Sequence, residues 1–115
     1  YSQGVRIQAS SSLLFVSGQL PIDPKTGKLI VGDIEEMTAR ILMNIQAILK
    51  AGGSDLSKVI KTEVFMTDLN DFKLMNKEYA RFFPDGAFPA RQAIEVSRLP
   101  LDAPLEISCI AVADM

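Results

Sequence analysis

Two strand-like segments of this chain are apolar on both parities, and no other feature limits its possible folds as much. Leu13 and Phe15 alternate with Leu14 and Val16, and Ile107 and Cys109 alternate with Ile110 and Val112. Strand side chains point alternately to the two faces of a sheet, so both faces of these strands require cover. Two segments read as helices that could supply it. In the first, Asp33 and Glu36 form a capping-box pattern, and Ile34, Met37, Ile41, Ile45, Ile48 and Leu49 recur at three- and four-residue spacing before Gly52-Gly53. The second opens near Asn70-Asp71 and sets Phe72, Met75, Tyr79, Phe82 and Phe83 on one stripe until Pro84. Both apolar stripes are expected to pack on a sheet. Strands are predicted near 4–9, 12–17, 58–67, 91–98 and 105–113, and Asp23-Pro24-Lys25-Thr26-Gly27 is a turn. The order implies an α+β fold, a single sheet with two helices packed on one face. The other face is left apolar, and the economical cover for it is an identical subunit, which points to a homo-oligomer with sites at subunit junctions.

A chain of 115 residues supports one core, so residues 1–115 are read as a single domain that carries the whole function. Hydrophobic residues make up 48% and charged residues 23%, an ordinary globular composition. Net charge is −2 and the basic residues are scattered singly, which argues against nucleic acid as a partner. There is no histidine and one cysteine, so His/Cys metal clusters are excluded and no metal or cofactor is expected. Cys109 lies in the run Ile107–Val112 and reads as a small core hydrophobe. A single cysteine fits a reducing, cytoplasmic setting, and neither a signal peptide nor an apolar run of membrane-spanning length is present. The chain opens at Tyr1 rather than at a methionine, which suggests a few further residues upstream.

The segment from Phe88 to Pro100 carries the strongest functional signal. Arg91 follows Pro89 at the start of a β-branched strand, where proline and sheet together fix its backbone. Its planar fork of donors suits a small carboxylate. Two readings stand at this point: Arg91 is an anion clamp, or it is a strand-edge residue paired with a nearby Asp or Glu.

Five blocks widen the signal: Tyr1-Ser2-Gln3-Gly4, Val16-Ser17-Gly18-Gln19-Leu20-Pro21, Val64 to Phe72, Phe88-Pro89-Ala90-Arg91, and Arg98-Leu99-Pro100. In this order and spacing they resemble the signatures of the Rid (RidA/YjgF) family of reactive intermediate deaminases. The resemblance implies a chorismate-mutase-like fold and a homotrimer with clefts between subunits. It also implies hydrolysis of 2-imino or enamine acids, such as 2-aminoacrylate and 2-iminobutyrate, to 2-keto acids and ammonia, limiting metabolite damage. An iminium carbon is already electrophilic, so such hydrolysis needs a carboxylate anchor, a positioned water and a proton acceptor. By the same resemblance Arg91 binds the carboxylate, Gly18 and Ala93 line the cleft with their backbone, and Tyr1, Ser17 and Asn76 are the remaining polar site residues.

Two positions depart from the family pattern. Ala93 stands where the deaminases usually carry a cysteine, and Ser108 is matched to a last-strand glutamate that holds the water. A serine cannot take a proton at neutral pH unaided. Glu106, on the same strand face, and Glu95, on the face of Arg91, are the other candidates for the water, with Glu95 also read as a structural ion-pair member. Three functions follow: an imine deaminase, a non-catalytic trimer that binds 2-keto acids, and a translation-inhibiting endoribonuclease of the kind reported for some relatives. The acidic balance and absent histidine argue against the last.

Overall fold

A computed structural model describes residues 1–114, and its first helix forms as the capping pattern predicts. The Asp33 carboxylate accepts from the Glu36 N–H at 2.8 Å, and Glu36 Oε1 accepts from the Asp33 N–H at 3.3 Å, satisfying donors that the first turn leaves unpaired. Helix α1 (Ile34–Ala51) buries Ile41, Leu42, Ile45 and Leu49, each contributing about 2 kcal/mol by removing apolar surface from water. It ends at Gly52, where a Cβ would come 2.5 Å from the Leu14 side chain, so that side chain packs directly on the bare backbone of the helix end. Gly53 then turns the chain at a φ of +79°.

The strands are β1 (Ser12–Gln19), β2 (Val59–Met66), β3 (Ala90–Glu95) and β4 (Leu105–Ala113), and α2 (Phe72–Ala80) connects β2 to β3. They form one sheet in the order β1-β4-β2-β3, with β3 parallel to β2 and the other pairs antiparallel. Thr62, Val64 and Met66 of β2, and Leu105, Ile107, Cys109 and Ala111 of β4, are buried on one face with Val16, and both helices contribute to that core. Residues of the opposite parity form an open face. There Phe15 is 69% exposed, with Leu13 and Ile94 also exposed. The sheet apolar on both sides and the one-sided helical layer are both present as read from sequence. Among the described residues no helix is long and apolar enough to cross a membrane.

Two expectations about local structure require correction. Residues 4–9 form no strand: Val5 and Ile7 are too short an alternation to bury a face, and most of the segment is exposed. The chain is instead tied at Ser2, whose N–H donates to the Pro89 carbonyl at 2.9 Å and whose hydroxyl donates to the Phe88 carbonyl, forming a bridge to Ala90. The second helix is also shorter than the predicted stripe. A turn of 3₁₀ helix at 69–71, capped by Asp68 accepting from the Asn70 N–H, precedes it. After Ala80 the N–H groups of Arg81 and Phe82 bond three residues back, to Glu78 and Tyr79, which tightens the last turn. Pro84 disfavours helical backbone at Phe83, and the ring of Phe83 is buried from beyond the helix end.

Candidate functional site

Arg91 stands opposite Thr62 in the β2–β3 ladder, on the helix-covered side of the sheet's outer edge. Three aromatic rings surround its guanidinium: Cζ lies 4.8 Å from the Tyr79 ring centroid and 5.3 Å from those of Tyr1 and Phe72. Ring faces attract a cation and a desolvated one most strongly. Nη1 donates to Asn76 Oδ1 at 2.6 Å. Phe72, Asn76 and Tyr79 recur at four- and three-residue spacing, so one side of α2 supplies the amide and two of the rings. Among the described residues no Asp or Glu pairs with Arg91, which removes the ion-pair reading. Glu95, its nearest candidate by sequence, instead accepts from the Leu69 N–H at 2.9 Å and ties the 3₁₀ turn to β3. The guanidinium faces a cavity of about 490 Å³ lined by Tyr1, Leu69, Phe72, Arg91 and Ala93. A cation with no carboxylate partner among the described residues, in an apolar, aromatic-walled cleft, has the chemistry to accept a small anion with an apolar body.

A second group of residues gathers at the opposite edge. Val16 pairs with Cys109 and Gln19 with Ile107, so Ser17 and Gly18 bulge together opposite Ser108. A Cβ at Gly18 would lie 2.6 Å from the carboxyl carbon of Glu106, whose side chain occupies the space that the glycine leaves. Ser108 also borders a cavity of about 210 Å³ on the open face, with Phe15, Lys61 and Glu63. Cys109 points the other way, into the core, where burial pushes its thiol up to about 12.

The structure thus brings Tyr1, Asn76, Arg91 and Ala93 together, and brings Ser17, Gly18 and Ser108 together with Glu106. It does not join the two groups within one chain. Arg91 and Ala93 lie on edge strand β3, Ser17 and Gly18 on the opposite edge strand β1, three strand spacings or about 14 Å away, and Glu106 and Ser108 on β4 beside β1, with Arg91 on one face of the sheet and Glu106 and Ser108 on the other. Phe72, which the sequence assigned to packing, and Leu69, which it assigned no role, line the cavity, and Tyr79, also assigned to packing, stands at the Arg91 guanidinium. Their signal was present in the spacing of Phe72 and Tyr79 around Asn76. The approach of Glu106 to Gly18 had no such signal, because it depends on the bulge.

Residues 1–113 match the family described as Endoribonuclease L-PSP. The chain belongs to this family. A RutC family protein of Pyrococcus horikoshii is 50% identical over 111 residues, covering 96% of this chain and 85% of the relative. The 2-iminobutanoate/2-iminopropanoate deaminase of Salmonella typhimurium is 43% identical over 114 residues, covering 97% of this chain and 86% of the enzyme. The crystal structure of E. coli TdcF with bound serine superposes with a TM-score of 0.82 at 40% identity, covering 99% of this chain and 88% of TdcF. The L-PSP family therefore includes Rid proteins and an imine deaminase alongside members named for endoribonuclease activity, and TdcF is seen with serine bound.

Proposed function

We propose that this chain hydrolyses reactive 2-imino and enamine acids, among them 2-aminoacrylate and 2-iminobutyrate, to 2-keto acids and ammonia. The observation that carries the reading is the guanidinium of Arg91, which sits in an aromatic cleft with no acid partner among the described residues. A 2-imino acid offers a carboxylate for that fork and a short apolar body for Leu69, Phe72 and Ala93. The similarity to the Salmonella deaminase supports the same reaction.

The water-handling half is assigned to a neighbouring copy, a reading supported by the placement of Gly18 and Arg91 on opposite edges of the sheet. A homotrimer closed by such edge-to-edge contacts, with the open apolar face turned inward, supplies one complete site per interface. Glu106 is assigned the proton acceptor in place of Ser108, because its carboxylate stands at Gly18 and a hydroxyl only orients water. Water adds to the iminium carbon as Glu106 takes its proton. That proton then passes to the nitrogen of the tetrahedral carbinolamine. As the C–N bond breaks, the freed Glu106 carboxylate takes the hydroxyl proton while the keto C=O forms, and the departing ammonia carries that proton away as ammonium.

The deciding experiment generates the imine in situ with a threonine dehydratase and uses semicarbazide to trap what escapes hydrolysis. The protein is expected to divert imine from the trap, and Arg91→Ala is expected not to. Binding of 2-oxobutanoate without any such diversion would favour a second reading, a non-catalytic keto-acid receptor, for which TdcF with its bound serine offers a structural parallel.

A further inference from the structure

The core beneath Arg91 contains two hydroxyls that packing alone does not call for. Tyr79 and Thr62 are each 1% exposed, and their hydroxyl oxygens are 2.7 Å apart. Around them the layer is apolar: Val64 and Met66 on the strand, Met75 and Phe83 on the helix side. A valine and a phenylalanine of the same shape would fill this volume with no buried hydroxyl to satisfy. The Thr62–Tyr79 bond therefore adds direction rather than bulk. It ties α2 to β2 at the residue that is also the ladder partner of Arg91. Of the three rings at the guanidinium, that of Tyr79 is nearest to Cζ, and it packs at 4.7 Å and 38° against Phe83. With one edge held by Thr62 and the ring braced by Phe83, the plate on which the guanidinium rests has a fixed height and tilt.

We propose that Thr62 and Tyr79 are a buried positioning pair that orients the Arg91 guanidinium and thereby sets how tightly, and in what pose, a small carboxylate is held. This takes from the reading above that Arg91 is the carboxylate anchor, and adds what holds the anchor. Neither residue touches the substrate. The hydroxyls fix the ring, the ring fixes the cation, and Asn76 fixes the rotation of the fork through Nη1. Pre-organisation of this kind raises affinity by removing rotamer freedom before binding rather than during it.

The test uses the full chain with Thr62→Val, Tyr79→Phe and the double substitution. Three quantities are compared: thermal midpoint, the Arg91 Nε–H resonance with its guanidinium rotation rate, assigned by its loss in Arg91→Lys, and Kd for 2-oxobutanoate. Each single variant leaves one buried hydroxyl unpaired and is expected to lower the midpoint. It is also expected to speed guanidinium rotation and weaken 2-oxobutanoate binding by about tenfold, as misplaced positioning groups do. The double variant removes both hydroxyls and should regain stability while its Arg91 dynamics and Kd stay impaired. Recovery of binding and Arg91 order together with stability would overturn the proposal. Single variants that melt early with unchanged Arg91 dynamics and Kd would do the same. A wild-type protein without affinity for 2-oxobutanoate would defeat the anchor reading, while the Arg91 resonance would still report whether the pair holds the guanidinium.

Discussion

The two edges of the sheet are built to different standards of completeness. At the β3 edge, Arg91 is walled by three rings, fixed by an amide and backed by a hydrogen-bonded pair, all within one chain. At the β1 edge, Gly18 and Glu106 adjoin an open face on which Phe15 is 69% exposed. On the function proposed above, the first half is a receptor complete within one chain and the second is a chemical group whose wall another copy supplies. Binding and chemistry are then separated along the sheet, and each should respond to its own substitutions.

The largest effect is expected from the finished half. Arg91→Ala should lower deaminase kcat/KM by roughly a thousandfold and remove 2-oxobutanoate binding, because charge and orientation are lost together. The thermal midpoint should hardly change, since Arg91 has no ion pair to lose among the described residues. Lysine should rescue little, being a point charge without the fork. Wild-type rates in a soluble Arg91→Ala protein would dissolve the contrast between the edges altogether.

The next substitution reads the other half. Glu106→Gln should reduce kcat by roughly a hundred- to a thousandfold with 2-oxobutanoate affinity retained, the range lost with a positioned base. Ser108→Ala should change kcat by about twofold or less, because a hydroxyl takes no proton. Ser108→Glu should fail to raise the rate, since it would crowd a second carboxylate beside Glu106 and Glu63. If Ser108→Ala proved the more damaging of the two, the water would belong to Ser108.

A substitution away from both halves sharpens the comparison. Phe15→Asp places a charge on the open face and should turn a trimer into monomers in sedimentation at micromolar concentration, with loss of deaminase activity. The ring-caged Arg91 should survive in the monomer, visible as an unchanged Arg91 Nε–H resonance. The smallest effect concerns stability. Cys109 has its thiol raised by burial from 9.0 to about 12, so the folded state holds this proton more tightly than the unfolded chain. Its contribution is complete below pH 9 and is lost as pH rises from 9 towards 12. The loss should be at most about 1.4 kcal/mol per pH unit. Denaturant titrations at pH 8 to 11 should show a shallower decline for Cys109→Ala.

Much of this was legible before any coordinates. The capping box at Asp33 and Glu36, the glycine stop at 52–53 and the doubly apolar strands are local patterns, and each formed where its spacing placed it. Arg91 stood in the sequence with two readings, anion clamp and edge ion pair, and its freedom from Glu95 was not legible, because Glu95 is claimed by a backbone N–H in the 3₁₀ turn at Leu69. That turn was itself hidden inside a stripe that read as continuous helix from Asn70. The strand expected at 4–9 failed because Val5 and Ile7 alternate too briefly to bury a face, and the chain is held instead by Ser2 to the start of β3. Glu106 stood behind Ser108 because the family's glutamate was matched to Ser108. Beside the bulge at Ser17 and Gly18, it is the Glu106 carboxylate that reaches the glycine's empty side.

The placement of the two halves on opposite edges also has a genetic meaning. If every interface joins one chain's β3 edge to its neighbour's β1 edge, a defect is confined to the interface half that carries it. A chain lacking Arg91 still lends its Glu106 to a neighbour, and a chain lacking Glu106 still offers its Arg91. Two dead variants, Arg91→Ala and Glu106→Gln, unfolded and refolded together in equal amounts, should therefore regain roughly a quarter of wild-type activity, the share of interfaces in a random ring that pair two sound halves. Neither variant alone should regain any. In a cell carrying both alleles, each would complement the other without a single wild-type polypeptide being made.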